Sequence, residues 1–188
     1  MKSFDNIETI YNKYIDQLYA YGIHMGFDKV IIMDAIHDVF CYLCINNAEQ
    51  NEVTTIKNYL FSALRNKLLN YKRDNKNLLY VESFPDDDSY FFNIKITIED
   101  DLINSEEQEK IRNSINNILK SLTPRQREIV YLKYFKEYSY EEISEIMSID
   151  INSCHKLMHK AMAVLRKNFG NVTKILIQIL IHLFTLRI

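Results

Sequence analysis

The chain has 188 residues, 47% of them hydrophobic, and a formal net charge of −2, which excludes an intrinsically disordered chain and a strongly basic one. Only three glycines and two prolines occur, and so few chain breakers favour long helices in one ordinary domain or two small ones. The three cysteines form no disulfide framework, and residues 1–20 carry charges throughout, unlike a signal peptide. We therefore expect an all-α protein of the cytoplasm.

The charges are segregated along the chain. Residues 57–76 contain six basic side chains and one acidic one, whereas residues 77–110 contain ten acidic side chains and two lysines. A basic helical segment is therefore followed by an acidic connector. A modest net charge that is distributed in this way suggests DNA binding assisted by a protein partner.

Three helices are predicted in the N-terminal part. The first begins at the capping-box pair Asp5 and Glu8 and ends near Gly22, the second begins near Asp28, and the third begins near Thr54. The residues expected to be buried in the second and third helices are Ile31, Ala35, Val39, Leu43, Ile56, Leu60, Ala63, Leu64, Leu68 and Tyr71. The opposite face of the third helix carries Lys57, Arg65, Asn66, Lys72 and Arg73.

A linker is predicted next, because residues 74–104 show no sustained period. Its apolar stretch, residues 90–98, has no partner strand, so we interpret it as a packed segment of the linker. A short helix from about Ser105 leads into a second domain. There Thr123 fits an N-cap, Pro124 fits the first helical position, and Gln126 completes a capping box.

A helix-turn-helix follows. Ser139 and Glu142 form another capping box at the start of a short helix, and a turn at residues 148–150 leads to a long helix that ends near Gly170. One half of the long helix is apolar: Cys154, Leu157, Met158, Ala161, Met162, Val164 and Leu165. The other half carries Ser153, His155, Lys156, His159, Lys160, Arg166 and Lys167. Such a face suits phosphates and base edges, although a solvated surface alone would explain it about equally well.

The helix-turn-helix block, residues 122–167, resembles the −35-binding domain of bacterial sigma factors, most closely the extracytoplasmic-function (ECF) group of the sigma-70 family. It starts with Leu-Thr-Pro-Arg, continues with Tyr-Glu-Glu-Ile, and has His-Lys-Ala at residues 159–161, where the family has His-Arg-Ala. Upstream, DAIHDVFCYL (34–43) is similar to the polymerase-binding helix, and YLFSALRNKLLNYKR (59–73) is similar to the promoter-melting helix. Departures are Ser148 for the turn glycine, Ser144 for an alanine, Leu157 for an arginine and His37 for a glutamine.

The resemblance implies a non-enzymatic sigma factor with two small helical domains. Residues 1–76 would bind polymerase and melt the −10 element, residues 77–104 would form the acidic linker, and residues 105–170 would bind the −35 element. The implied polymerase-binding residues are Asp34, His37, Asp38 and Phe40. The implied −10 residues are Asn46, Asn47, Asn51, Lys57, Arg65, Asn66, Lys72 and Arg73. The implied −35 residues are Ser153, His155, Lys156, His159 and Lys160.

The expected partners are core RNA polymerase, promoter DNA and an anti-sigma factor, with no cofactor, metal or small-molecule substrate. The alternatives are a helix-turn-helix regulator that binds DNA without polymerase and a protein whose second domain contacts only protein. Cys41 and Cys44 form a CxxC pair near His37, and we expect buried thiols there rather than metal ligands.

The C-terminal segment, residues 171–188, is predicted to be an apolar helix. Its last fourteen residues reach roughly 21 Å as a helix, short of the roughly 30 Å hydrocarbon core of a bilayer. Docking on the protein's own domains is therefore favoured over a transmembrane span. A partner protein or indirect contact with a membrane surface is the second interpretation.

Overall fold

The structure is a computed structural model and describes residues 2–45, 53–75, 91–94 and 116–169. Every regular element among these residues is a helix, which confirms the all-α prediction. The chain divides into two compact units, and the main boundary between them lies at Phe91 and Phe92. The domain limits predicted above stay predictions. Residues 46–52, most of the acidic linker and the apolar tail lie outside the described residues.

The first unit contains three helices: α1 (Lys2–His24), α2 (Lys29–Ile45) and α3 (Val53–Asp74). The predicted start of α1 is wrong, because the helix begins before Asp5 and leaves that residue inside its first turns. The predicted start of α2 is confirmed: the backbone N–H of Ile31 donates to Asp28 Oδ1 at 3.0 Å. Between the two helices Gly26 adopts a φ of +84°, which favours glycine and ends α1.

The core of this unit lies where α1 packs against both α2 and α3. The rings of Tyr21 and Phe61 meet edge to face, with their centroids 5.3 Å apart, and both side chains are fully buried. The other large apolar side chains that are buried among the described residues of this unit are Tyr14, Leu18, Met25, Ile32, Ile36, Val39, Phe40, Leu43, Ile56, Leu60, Leu64 and Leu68. Most of the predicted core is therefore confirmed, although Ile31 and Ala63 are only half-buried.

The second unit begins, in its described part, with helical residues 116–120 and continues with α4 (Pro124–Val130). The predicted cap of α4 is confirmed in full. The backbone N–H of Gln126 donates to Thr123 Oγ1 at 3.3 Å, and the N–H of Thr123 donates to Gln126 Oε1 at 2.9 Å. The helix continues through a π-helical turn at Tyr131–Phe135, so it extends as far as predicted, with a wider last turn.

Two further helices complete the predicted helix-turn-helix: α5 (Tyr140–Met147) and α6 (Ile151–Phe169). The cap of α5 is also confirmed, because the N–H of Glu142 donates to Ser139 Oγ at 3.1 Å and the N–H of Ser139 donates to Glu142 Oε2 at 2.7 Å. Ile143, Ile146 and Met147 are buried as predicted. Ser148 in the connecting turn has a φ of +53°, the left-handed conformation that favours the glycine it replaces.

A short piece of the predicted linker packs within the second unit. Residues 91–94 have no regular secondary structure, and Phe92 and Ile94 are buried. The guanidinium Nε of Arg127 donates to the carbonyl oxygen of Phe92 at 2.6 Å, and the rings of Phe92 and Tyr131 lie 5.5 Å apart. These residues therefore behave as the packed segment that the lack of a partner strand predicts. Within the described helices, none is long and apolar enough to span a membrane.

Replacing Gly22 with alanine is expected to destabilise the first unit. An added Cβ would lie 2.7 Å from Cγ1 of Ile32, which is fully buried and stiff because it is β-branched. Overpacking costs about 1–3 kcal/mol, more than the roughly 1 kcal/mol by which alanine exceeds glycine in helix propensity. We expect a net loss of about 1 kcal/mol in urea denaturation. In an Ile32→Ala background the same change should be neutral or stabilising, and equal losses in both backgrounds would contradict this account.

Replacing Ser148 with glycine is expected to stabilise the helix-turn-helix. The left-handed conformation costs a residue with a Cβ about 1–2 kcal/mol, and the greater flexibility of unfolded glycine offsets about 0.5–1 kcal/mol of the gain. We expect a net gain of about 0.5–1 kcal/mol in urea denaturation. Ser144→Gly is the matched control, because Ser144 lies inside α5 and the change there should destabilise. Effects of the same sign at both serines would refute the explanation.

Candidate nucleic-acid interface

The long helix α6 presents a polar face because its apolar face is fixed in the core. Cys154, Met158, Ala161 and Leu165 recur every three or four residues and are at most 5% exposed, and α4 packs against this helix. The predicted −35 residues His155, Lys156, His159 and Lys160 are all exposed. Sequence and structure therefore agree on which face of α6 is available to a ligand, and contact with DNA stays a prediction.

Ser153, the fifth predicted −35 residue, has another role in the structure. Its backbone N–H donates to Asp150 Oδ1 at 2.8 Å, and its hydroxyl donates to Asp150 Oδ2 at 2.6 Å. The hydroxyl is the largest cause of a lowered pKa at Asp150, followed by the backbone N–H, with a smaller contribution from the charge of Lys156. This capping stabilises α6 at neutral pH and is lost as the pH falls through that lowered pKa. Ser153 therefore takes part in the cap of α6.

His155 is positioned by a ring contact that the sequence did not predict. The centroid of the His155 ring lies 4.0 Å from the centroid of the Tyr140 ring, at the start of α5. The ammonium of Lys133 lies 4.8 Å from the centroid of the same Tyr140 ring. Lys133 also donates to the carbonyl oxygen of Tyr138 at 3.1 Å. Burial raises the pKa of Tyr140. The two rings are tilted by 41° to each other, and their contact restricts the His155 ring near the start of α6. No local pattern signals the contact, because the two residues are fifteen positions apart.

The predicted −10 residues of α3 differ in their exposure to solvent. Asn66 and Arg73 are exposed, and Arg73 pairs with Asp74 at 3.2 Å, whereas Lys57 and Lys72 are half-buried. Arg65 is only 4% exposed, so its predicted position on the open basic face is wrong. It follows Leu64 and lies one turn after Phe61, which places it on the flank of the apolar stripe. Asn46, Asn47 and Asn51 lie outside the described residues.

The predicted polymerase-binding residues of α2 also separate into two groups. Asp34, His37 and Asp38 are exposed, but Phe40 is 5% exposed and its ring packs 5.0 Å from that of Tyr11. Phe40 therefore belongs to the core stripe of α2, and contact between its side chain and polymerase stays a prediction. His37 Nε2 lies 3.4 Å from the hydroxyl of Tyr11.

A groove between α2 and α3 brings two of the predicted site groups together. It has a volume of about 650 Å³, and Asp34, Asp38 and Asn66 all line it. Asp38 forms an ion pair with Lys67 at 2.6 Å, and both side chains remain largely exposed. Such a pair stabilises by about 0–1 kcal/mol, so a stronger partner can displace it.

Three further residues contradict the sequence-based expectations. Tyr71, predicted to be in the core, is 39% exposed, and its ring lies 6.4 Å from that of Phe27. Cys41 and Cys44 are exposed rather than buried, because the core stripe of α2 runs through Val39, Phe40 and Leu43 instead. No group of three metal-binding side chains occurs among the described residues. The CxxC pair therefore has no third ligand in that part of the chain.

Comparison with known proteins gives concordant matches. Residues 112–165 match the family model described as Sigma-70, region 4. The ECF RNA polymerase sigma factor SigM of Bacillus subtilis (strain 168) is 26% identical over 166 residues, which cover 82% of this chain and 90% of SigM. RNA polymerase sigma factor YlaC of the same organism is 23% identical over 177 residues, which cover 89% of this chain and 94% of YlaC.

A solved structure shares the fold. It is the sigma factor RpoE in complex with the anti-sigma factor NepR from Bartonella quintana, with a TM-score of 0.56, 17% identity, and coverage of 86% of this chain and 95% of that one. The sequence matches extend over both units, and the family model falls on the helix-turn-helix whose exposed basic face is described above. Residues 112–165 therefore match region 4 of the sigma-70 family, and the chain is similar over most of its length to RNA polymerase sigma factors, one of them of the extracytoplasmic-function group.

Proposed function

We propose that this protein directs RNA polymerase to specific promoters and assists their opening, as a dissociable, non-enzymatic subunit acting in the cytoplasm. The observation that carries the proposal is the exposed basic face of α6, presented by a capped helix-turn-helix. That face occurs in a chain that matches ECF sigma factors over most of its length. A helix of this kind enters the major groove, and its dimensions match those of the groove.

The side chains of α6 support a division of roles. Lys156 and Lys160 carry point charges suited to phosphate oxygens, whereas the ring nitrogens of His155 and His159 donate to or accept from base edges. The ring contact with Tyr140 restricts the His155 ring before DNA arrives, which lowers the entropy lost on binding. The −35 contact in this proposal therefore combines sequence-independent affinity with selective hydrogen bonding.

The first unit would bind core polymerase and the −10 element. Asp34, His37 and Asp38 offer an exposed polar surface on α2 for core polymerase, and carboxylates there suit arginine or lysine partners. On α3, Asn66 and Arg73 are exposed for the −10 element, together with Tyr59, which is 36% exposed. An exposed aromatic ring on a helix that also carries exposed basic side chains suits stacking on an unpaired base. Lys57, Lys72 and the asparagines of residues 46–52 complete this proposed surface.

We also propose that a protein inhibitor of the anti-sigma class controls this chain. The solved relative was captured with the anti-sigma factor NepR, and its fold covers most of this chain. An inhibitor of this kind would act by covering the polymerase-binding or DNA-binding surfaces described above.

The proposed function predicts promoter-specific transcription that depends on both proteins. Run-off transcription is measured with bacterial core polymerase, with and without this protein, on a library of promoters from the organism's own genome. Specific transcripts are expected only when the protein is present, because core polymerase alone does not select promoters. Specific DNA binding without core polymerase, and no transcripts with it, would instead identify a stand-alone regulator.

Two exposed substitutions should separate the two surfaces. His159→Ala removes a base-edge contact and is expected to weaken promoter binding by the holoenzyme by about 1 kcal/mol or more, roughly fivefold, without changing affinity for core polymerase. Asp34→Lys reverses a charge on α2 and is expected to weaken core binding alone. Fluorescence anisotropy measures both affinities, and each variant is the control for the other. The assignment fails if either variant changes both affinities equally.

A further inference from the structure

We infer that Cys41 and Cys44 form a redox site, in which a peroxide converts the two thiols reversibly into a disulfide and thereby weakens the binding of core polymerase to α2. The disulfide itself is independent of the proposed function, whereas its effect on polymerase rests on that function. Both cysteines lie near the end of α2, three positions apart, and both side chains are exposed. Cysteine is among the residue types most often buried, so two exposed thiols on one helix indicate reactivity rather than packing.

The third cysteine has the features of a packing residue, and the pair does not share them. Cys154 is fully buried in the apolar face of α6, and burial is the largest cause of a raised pKa at its thiol. A buried, protonated thiol is inert. A metal ion also finds too few ligands at the pair, because no group of three metal-binding side chains occurs among the described residues. Oxidation is therefore the chemistry that two neighbouring exposed thiols support best.

The spacing of the pair permits a disulfide, but only with a local distortion of α2. Residues three positions apart on a helix have Cα atoms about 5 Å apart, which a disulfide accepts, and Cβ atoms about 5–6 Å apart, which must approach to about 3.5–4.5 Å. Because α2 ends at Ile45, the distortion falls on a terminal turn, whose last carbonyl groups have no partner within the helix. Leu43 in the same turn is only 3% exposed, so its packing opposes the distortion. A strained and exposed disulfide is easily reduced, as regulatory disulfides are.

The oxidation is balanced by hydrogen peroxide or an organic peroxide. One thiolate attacks a peroxide oxygen, so that an S–O bond forms, the O–O bond breaks, and the leaving oxygen takes up the thiol proton to become water or an alcohol. The second thiol then displaces the hydroxyl group of the sulfenic acid, which forms the S–S bond and releases water. The two sulfurs together lose two electrons, which the peroxide gains. A cellular dithiol restores both thiols by exchange, so the disulfide is transient in a reducing cytoplasm.

The pair lies on the face of α2 that is proposed to bind core polymerase. At about 100° per residue, Cys41 lies about 20° around the helix axis from Asp34, and Cys44 lies about 20° from His37. All four side chains are exposed. Formation of the disulfide therefore changes the shape of this face at its C-terminal end and leaves Asp34, two turns earlier, in place. A partner that contacts the whole face loses contacts with the distorted turn.

The first test counts free thiols before and after oxidation. The reduced full chain is treated with hydrogen peroxide, catalase removes the excess, and the protein is unfolded in urea and alkylated with iodoacetamide. Before oxidation all three cysteines should be alkylated. After oxidation only Cys154 should be alkylated, and the peptide that contains Cys41 and Cys44 should be lighter by two hydrogen atoms. Dithiothreitol should restore all three labels. Added oxygen atoms on the cysteines, or disulfides between chains, in place of this bond overturn the inference.

The second test measures the affinity for core polymerase by fluorescence anisotropy. The protein is oxidised and freed of peroxide before polymerase is added, so that the thiols of polymerase are not modified. Oxidation is expected to weaken binding by about fivefold or more, comparable to the loss of one important interface residue, and dithiothreitol should reverse the effect. The matched control is the double variant Cys41→Ser/Cys44→Ser, whose affinity should be the same before and after peroxide treatment.

The outcomes separate this inference from the proposed function. If the disulfide forms and the oxidised and reduced proteins bind core polymerase equally, the effect on polymerase is overturned. If peroxide weakens binding by the double variant as much as binding by the wild type, the effect arises elsewhere and the inference is also overturned. If the reduced wild type neither binds core polymerase nor supports transcription, the proposed function fails and the effect on polymerase fails with it. The alkylation experiment then decides the redox site alone.

Discussion

The orientation of α6 depends on the turn that precedes it. Ser148 adopts a left-handed conformation, and Asp150 then caps the first turn of the helix through Ser153. If the helix shifted by one residue, it would rotate by about 100°, which would remove Cys154 from the core and carry the polar face inward. The buried apolar face of α6 and the cap at its N-terminus therefore fix the rotation of this helix about its axis. That rotation presents the histidines and lysines to a ligand.

The second unit extends beyond the helix-turn-helix itself. Arg127 uses its guanidinium to bind the carbonyl oxygen of Phe92, and the buried Phe92 ring contacts Tyr131 in the π-helical turn. The burial that this packing creates raises the pKa of Tyr131. An apolar piece of an otherwise acidic connector is thus part of the core of the second unit.

Local sequence signals predicted the helix starts well where the signal was a cap. Thr123 with Gln126 and Ser139 with Glu142 make both predicted hydrogen bonds, since partners three residues apart need no tertiary contact to meet. The same signal failed at Asp5, where α1 continues past it toward the N-terminus. The assignments of Arg65 and Tyr71 to the two faces of α3 failed, since Arg65 is buried and Tyr71 is exposed. The expected burial of Cys41 and Cys44 also failed. The helical period of a sequence predicts the middle of the buried face of a helix, but the width of that face depends on how the neighbouring helices pack.

The sequence by itself determined the all-helical class, the capped helix-turn-helix and the basic face of α6, because periodicity and capping are encoded within a few residues. The resemblance to ECF sigma factors likewise depends on contiguous blocks of sequence. Only the tertiary structure decided that the His155 ring contacts that of Tyr140 and that Asp34 and Asn66 line one groove. Those arrangements depend on how separate helices pack, and packing is set by the shapes of side chains distant along the chain.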